Sequence, residues 1–239
     1  MIYFEVNMKK LTAAPQGCFL LGAVNRKKTA KFVMTMALAL VGNMALADLP
    51  DDVLRIRSAW EKIKYQMPEK EQELAFEQLA KESARLKEKS PRDAPTAIWH
   101  GIVEASYAGA KGGLGALGLA KNARKSFEDA LAIDPKALDG SAYTSLGSLY
   151  YQVPGWPIGF GDDKMALEML NKGLALNPNG IDPNYFYADY LFRNGDLEGA
   201  ERFLKKAQAA PPREGRALAD EGRRKEINEL MAKIAKKRR

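Results

Sequence analysis

Three segments of this chain match one another position by position: ARKSFEDALAIDP (123–135), ALEMLNKGLALNP (166–178) and AERFLKKAQAAPP (200–212). Each opens on alanine, places a bulky apolar residue four positions on, a small residue three later and a proline five after that. The quartets are Ala123, Phe127, Ala130, Pro135; Ala166, Leu170, Gly173, Pro178; and Ala200, Leu204, Ala207, Pro212. Their starts are 43 and then 34 residues apart, a period that marks a stack of small repeated units. The residue types say what the unit is. Small residues let two helices approach closely. The bulky residue fills the space between neighbouring hairpins, and the proline stops one helix and sets the turn into the next.

The partner helix of each unit lies upstream. It is PTAIWHGIVEASYAG with Trp99, Ile102 and Val103 inward, then DGSAYTSLGSLYYQ with Tyr143, Leu146, Gly147 and Tyr150, then DPNYFYADYLFRNG with Tyr187, Ala188 and Leu191. Two helical stretches precede the repeats. DDVLRIRSAWEKIKYQ carries Val53, Leu54, Ile56 and Trp60, and EKEQELAFEQLAKESARLKEK carries Leu74, Leu79 and Leu86, with Pro68 between them and Pro91 after. Residues 48–91 therefore read as an N-terminal hairpin cap. Residues 213–239 form a charged amphipathic helix with Leu218, Ile227, Leu230, Met231 and Ile234 on one stripe, a polar-faced cap such as a helical stack needs. No run alternates with the period of a strand, so the class is all-α.

Residues 94–212 resemble the tetratricopeptide-repeat superfamily, whose period is about 34 residues. The units fall at about 94–135, 136–178 and 179–212. The last is the cleanest, and in the first Ser106 stands where the family usually has an aromatic. The resemblance implies a solenoid of antiparallel helix hairpins used for protein–protein contact. Against this frame the chain carries two long insertions within hairpins. Ala188 and Ala200 are 12 apart, but Gly147 and Ala166 are 19 apart and Val103 and Ala123 are 20 apart. The surplus is VPGWPIGFGDD (153–163) in the middle repeat and GAKGGLGALG (109–118) in the one before. Insertions at the same place in adjacent repeats lie side by side on one edge. Trp156 and Phe160 make the first of them a candidate binding edge or a plug packed onto the helices. The glycine run contains a formal G-x-G-x-x-G, but it follows a helix rather than a strand and so lacks the context of a dinucleotide site.

In the resembling family the first helices line an inner groove. That places His100, Glu104 and Tyr107, then Thr144, Ser145, Ser148 and Tyr151, then Tyr185, Phe186, Asp189 and Phe192 on the groove face. His100 and Glu104, four apart, share a helical face. No nucleophile, metal-ligand set or oxyanion donor accompanies them, so the pattern argues for binding rather than an enzyme, with no cofactor and no metal. The stretch LGSLYYQVPGWPIGFGDDKMALEML, in an exported chain of hairpins with long insertions, also resembles the T-component proteins of tripartite ATP-independent periplasmic transporters. That resemblance implies association with a solute-binding subunit and assembly into homo-oligomers. A transport accessory with a small apolar ligand is accordingly the alternative to a protein-binding scaffold.

Charge points away from nucleic acid. The net +7 is concentrated at the ends: residues 1–47 hold six Lys/Arg against Glu5, residues 213–239 hold ten basic and five acidic residues, and the body between is slightly acidic. NRKKTAK (25–31), the apolar FVMTMALALVG (32–42) and ALA (45–47) together read as a signal peptide cleaved before Asp48. The stretch before it is longer than such a leader needs, which leaves the starting methionine open. The expected location is the periplasm, with an envelope protein as partner; an uncleaved inner-membrane anchor is the alternative. Cys18 is the only cysteine, so the mature chain would have no disulfide.

Overall fold

Prolines and capping side chains cut the chain into helices: α1 (Asp51–Gln66), α2 (Glu69–Lys89), α3 (Ala94–Lys111), α4 (Ala116–Ile133), α5 (Ala137–Gln152), α6 (Asp163–Leu176), α7 (Ile181–Arg193), α8 (Leu197–Gln208) and α9 (Ala217–Lys237). The computed structural model describes residues 49–113 and 115–239; the expected leader, its cleavage point and Cys18 lie outside them. Asp93, Asp162 and Asp196 cap α3, α6 and α8 by accepting from the amides of Thr96, Lys164 and Met165, and Gly199. Before α5 becomes regular the backbone passes through left-handed conformations at Leu138, Asp139 and Gly140, an unusual choice for leucine. Among the described residues there is no strand, only one bridge between Gly155 and Gly161.

The helices pair as hairpins, α1 with α2, α3 with α4, α5 with α6 and α7 with α8. The repeated quartets hold them together. Ala123, Phe127, Ala130, Ala166, Ala200, Leu204 and Ala207 are completely buried, and Leu170 and Gly173 nearly so. Their partners in the first helices are glycines in the first two repeats and Ala188 in the third. A Cβ added at Gly101 would sit 2.6 Å from the Phe127 ring, and one at Gly147 would sit 2.8 Å from Leu170. Ser106 has its own explanation. Its hydroxyl accepts a 2.8 Å hydrogen bond from Trp60 Nε1 and donates to Ile102 O. An indole from α1 thus lies at the position where the repeat pattern wants an aromatic. In α2 the apolar stripe differs from expectation: Leu74 is 63% exposed and Phe76 takes the core position at 1%.

Each first helix touches the next one, α1 to α3, α3 to α5, α5 to α7 and α7 to α9; α9 then touches α1. Five helices close into a ring, with α2, α4, α6 and α8 each wedged outside it between two of them. The C-terminal helix is therefore more than an end cap. It stands where the first helix of a further hairpin would stand, packing Ile227, Leu230 and Ile234 onto Ala188, Ala200 and Leu204. Its polar outer side, with Glu221, Lys225 and Asn228, borders an open cleft of about 960 Å³.

The two insertions take different forms. Expected as a glycine loop, the first is mostly helix: only Gly112–Gly115 link α3 to α4, which run to 18 residues each against 13 and 12 for α7 and α8. Alanines on both sides of the glycines favour helix strongly enough to absorb the surplus as an added turn on each helix. The second insertion is a true loop between α5 and α6.

The glycines of α3 give a paired test. Gly101→Ala should destabilise the protein by about 1–3 kcal/mol, because the methyl overpacks a fully buried ring. Gly109→Ala, where a Cβ meets nothing within 4 Å, should stabilise it by about 0.5–1 kcal/mol through helix propensity alone. Urea unfolding of both variants checks this; a neutral Gly101→Ala would contradict the close approach of α3 and α4.

Candidate functional site

Two regions compete for the role of binding surface, the loop edge and the inner side of the ring. The loop is built on glycine. Gly161 N–H donates to Pro154 O at 2.9 Å, Ile158 and Gly159 N–H both donate to Gly155 O at 3.1 Å, and Asp162 N–H donates to Tyr150 O at 3.0 Å. Side chains at Gly159 or Gly161 would strike the backbone of Val153 and Pro154, so glycine is required at both. The bond between Trp156 and Pro157 is cis.

Held this way, the loop has two faces. Phe160 turns inward. Its ring meets Tyr150 edge-on at 6.0 Å and carries the Arg124 guanidinium at 4.7 Å. Trp156 and Ile158 turn outward, 88% and 65% exposed. The structure thus separates the two aromatics expected to share an edge: Phe160 plugs, Trp156 presents. The first insertion lies alongside, with Leu117 Cδ1 3.4 Å from where a Cβ on Gly159 would be.

On the ring, the expected groove residues divide by the side of the helix they occupy. His100, Glu104 and Thr144 are buried toward the second helices, not the groove. His100 Nδ1 lies 2.9 Å from Ser83 Oγ on α2, and Gly173 of α6 abuts Thr144. Glu104 Oε1 is 4.0 Å from His100 Nε2, while its Oε2 has no hydrogen-bond partner. The sequence marked these residues by their position along α3 and α5, but the rotation of each helix is set by glycine contacts that the repeat pattern does not specify. Tyr107 is buried in the core of α1, α2 and α3 with Lys111 above its ring. Ser148 donates to Ser145 O within its own helix.

The remaining groove candidates do meet. Tyr151 Oη donates to Asp189 Oδ2 at 2.9 Å, and Arg193 Nε donates to the same oxygen at 3.0 Å. Burial, reinforced by Asp189, holds the Tyr151 hydroxyl well above its ordinary pKa. Tyr185 and Phe186 stack on one guanidinium, that of Arg223, at 4.4 and 4.6 Å. This guanidinium comes from α9, and it is part of a buried charge cluster that the sequence reading missed. Asp182 accepts from Arg213 at 2.6 Å and from Arg223 at 2.8 Å; Asp220 accepts from Arg213 at 2.7 Å. Burial pushes the Asp182 carboxyl up, but Arg223 and Arg213 overcome this and hold it well below the usual carboxylate range. The α7 part of the inner face is consequently covered by side chains of the protein's own C-terminal segment. The sequence did contain a signal: the first half of α9 has few large apolar residues, and Arg216, Asp220 and Arg223 continue the stripe in their place.

No family model matches the chain, and no curated protein does. Solved structures do. A thermophilic tetratricopeptide-repeat protein of Thermus thermophilus, TTC0263, superposes with a TM-score of 0.51 over 77% of this chain and 98% of its own, at 13% identity. The solenoid has the tetratricopeptide fold. MamA superposes with a TM-score of 0.41 over 69% of this chain and 89% of its own, at 19% identity. At these identities the likeness is one of fold. Among the described residues no cluster of three or more His, Cys, Asp or Glu side chains could hold a metal, and no helix is long and apolar enough to cross a membrane.

The buried histidine sets a pH dependence. Burial, then the nearby Lys87 charge, lowers its pKa from 6.5 to about 4. Between these values the unfolded chain binds a proton that the folded one refuses. The residue's contribution is therefore whole above pH 6.5 and falls away as the pH drops toward 4, by an amount on the order of 3 kcal/mol. Glu104, whose carboxyl burial raises, acts in the opposite sense, so the measurement is a difference. Stability of wild type minus that of His100→Gln, from urea unfolding at several pH values, should shrink between pH 6.5 and 4; a flat difference would show that His100 titrates as it does in water.

Proposed function

We propose that this protein is a non-enzymatic binding scaffold, exported to the periplasm, that holds an envelope protein on the edge carrying its two insertions. Trp156 supports this reading most directly. A tryptophan exposed over 88% of its surface, on a loop fixed by its own backbone hydrogen bonds, contributes nothing visible to the fold. Aromatic side chains presented in this way are over-represented among the residues that dominate binding energy. Ile158 and the neighbouring Leu117 widen the apolar contact. The α7 side of the inner face is the less suitable surface, because Arg213 and Arg223 already pair with Asp182 there.

A photo-crosslinking residue placed at position 156 in cells should capture one specific envelope protein. With the purified pair, Trp156→Ala should weaken binding at least tenfold, the usual size for a hot-spot residue. Leu74→Ala, also an exposed apolar residue but on α2, should leave affinity unchanged. Equal affinity for all three proteins would remove the edge from consideration. Cell fractionation addresses the compartment: the periplasmic fraction should contain a chain whose intact mass begins at Asp48, whereas a full-length mass recovered with membranes would favour the anchored form.

A further inference from the structure

The two sides of α9 are held by different forces. Toward α7 and α8 it shares an apolar cluster in which Ile227, Leu230 and Ile234 are almost completely buried. Toward α1 there is no such cluster: the buried apolar residues of α1 pack with α2 and α3 instead. What joins α9 to α1 is one aromatic contact, the Tyr65 ring against Gly222, and otherwise polar groups. Arg216, just before the first turn of α9, bonds Glu61 through its guanidinium and lies 5.3 Å over the Trp99 ring. Lys64 Nζ is 3.6 Å from Glu226, and Arg57 donates to Gly215 O at 3.4 Å.

This seam has two unusual properties. Glu61 is only 5% exposed, so a carboxylate sits in the wall of the ring with Arg216 as its ion-pair partner. Breaking a buried pair by withdrawing one member leaves an uncompensated charge and is strongly unfavourable. A group that takes the place of Arg216 while Glu61 stays covered must therefore bring another cation against it. The planar guanidinium fits best, because it pairs with carboxylate and stacks on indole at once, which an ammonium does less well. The second property is that two buried donors of the same wall, Trp99 Nε1 and Arg57 Nε, have no acceptor. An extended peptide segment carries the carbonyls to supply them.

We infer that Glu61 and Trp99 form an arginine socket, plugged in cis by Arg216, and that an arginine-bearing peptide segment of a partner protein opens the ring by taking its place. The seam is the natural opening line because each unit of a solenoid contacts only its neighbours, and this is the junction without an apolar core. Burial, then the adjacent Arg213, lowers the Arg216 pKa despite the pairing with Glu61. This surface is separate from Trp156, so the failure of either reading leaves the other standing.

Carbodiimide coupling of Lys64 to Glu226, quantified by peptide mass spectrometry, reports closure in the unmodified protein. The Lys172–Glu168 pair, 2.7 Å apart within α6, serves as internal standard. An acetylated, amidated peptide of residues 215–219, GRALA, carries no carboxylate or amine to interfere. It should lower the Lys64–Glu226 yield several-fold relative to the standard, and the same peptide with glutamine for arginine should not. About 1 M NaCl, where the Debye length is roughly 3 Å, should weaken the seam as well. Arg216→Gln should raise affinity for the peptide at least tenfold while keeping its helical circular dichroism. Coupling that ignores both salt and peptide would overturn the inference, as would peptide binding that leaves coupling unchanged. If Arg216→Gln does not fold, the wild-type series alone decides.

Discussion

Close approach of two helices at small side chains is the constraint from which the rest of this molecule follows. Where Gly101 faces Phe127 and Gly147 faces Leu170, the helices come near enough for one large residue to fill the whole gap. Glycine costs helix stability in both places, yet any side chain there would push the hairpin apart. Because the same contact recurs in successive hairpins, their tilt repeats, and repeated tilt is curvature. The ring of α1, α3, α5, α7 and α9 is the accumulated result of contacts within single hairpins.

Closing that ring forces polar groups indoors. The inner wall collects Glu61, Asp182, Tyr65 and Tyr185, and Arg213 and Arg216 just before α9 answer together with Arg223 within it. Burial raises the Tyr65 hydroxyl to about 12, which keeps it neutral and leaves the carboxylates as the arginines' counter-charges. Such clusters add little net stability compared with apolar packing. What this one provides is register. Arg213 bridges Asp182 and Asp220, and only one placement of α9 along α7 satisfies both. The apolar contacts of Ile227, Leu230 and Ile234 supply attraction without this discrimination.

The elements of the fold were legible because they are written in local spacing. The three apolar or small residues of each quartet are buried almost without remainder, and each proline, exposed, stands just beyond a second helix. The candidate site was less legible, for a definite reason. Assigning His100, Glu104 and Thr144 to a groove needs the rotation of each helix about its own axis, and an error of one residue turns a helix by about 100°. The alignment fixed the small residues of the second helices well and those of the first helices poorly. Ser106 shows how context substitutes for pattern: the aromatic it lacks arrives from Trp60 in another hairpin. Closure of α9 onto α1 lay further out of reach, since Glu61 and Arg216 are 155 residues apart and nothing in the period links them.

A solenoid with an open inner face can offer a whole row of first helices to a ligand. Here α9 stands as the fifth member of that row, between α7 and α1, and Arg213 and Arg223 cover Asp182, Tyr185 and Phe186 of α7. The edge is where the sequence departs most from its own repeat, and both insertions lie there. One surplus became extra helix, extending α3 and α4 toward the loop. The other became a loop in which Phe160 ties down one end of a short apolar segment so that Trp156 can project from the other. Anchoring lowers the entropy that a partner must remove on binding. The inward aromatic therefore adds to the loop's own backbone hydrogen bonds: the contacts of Phe160 to Tyr150 and Arg124 help to make Trp156 a fixed feature of the surface.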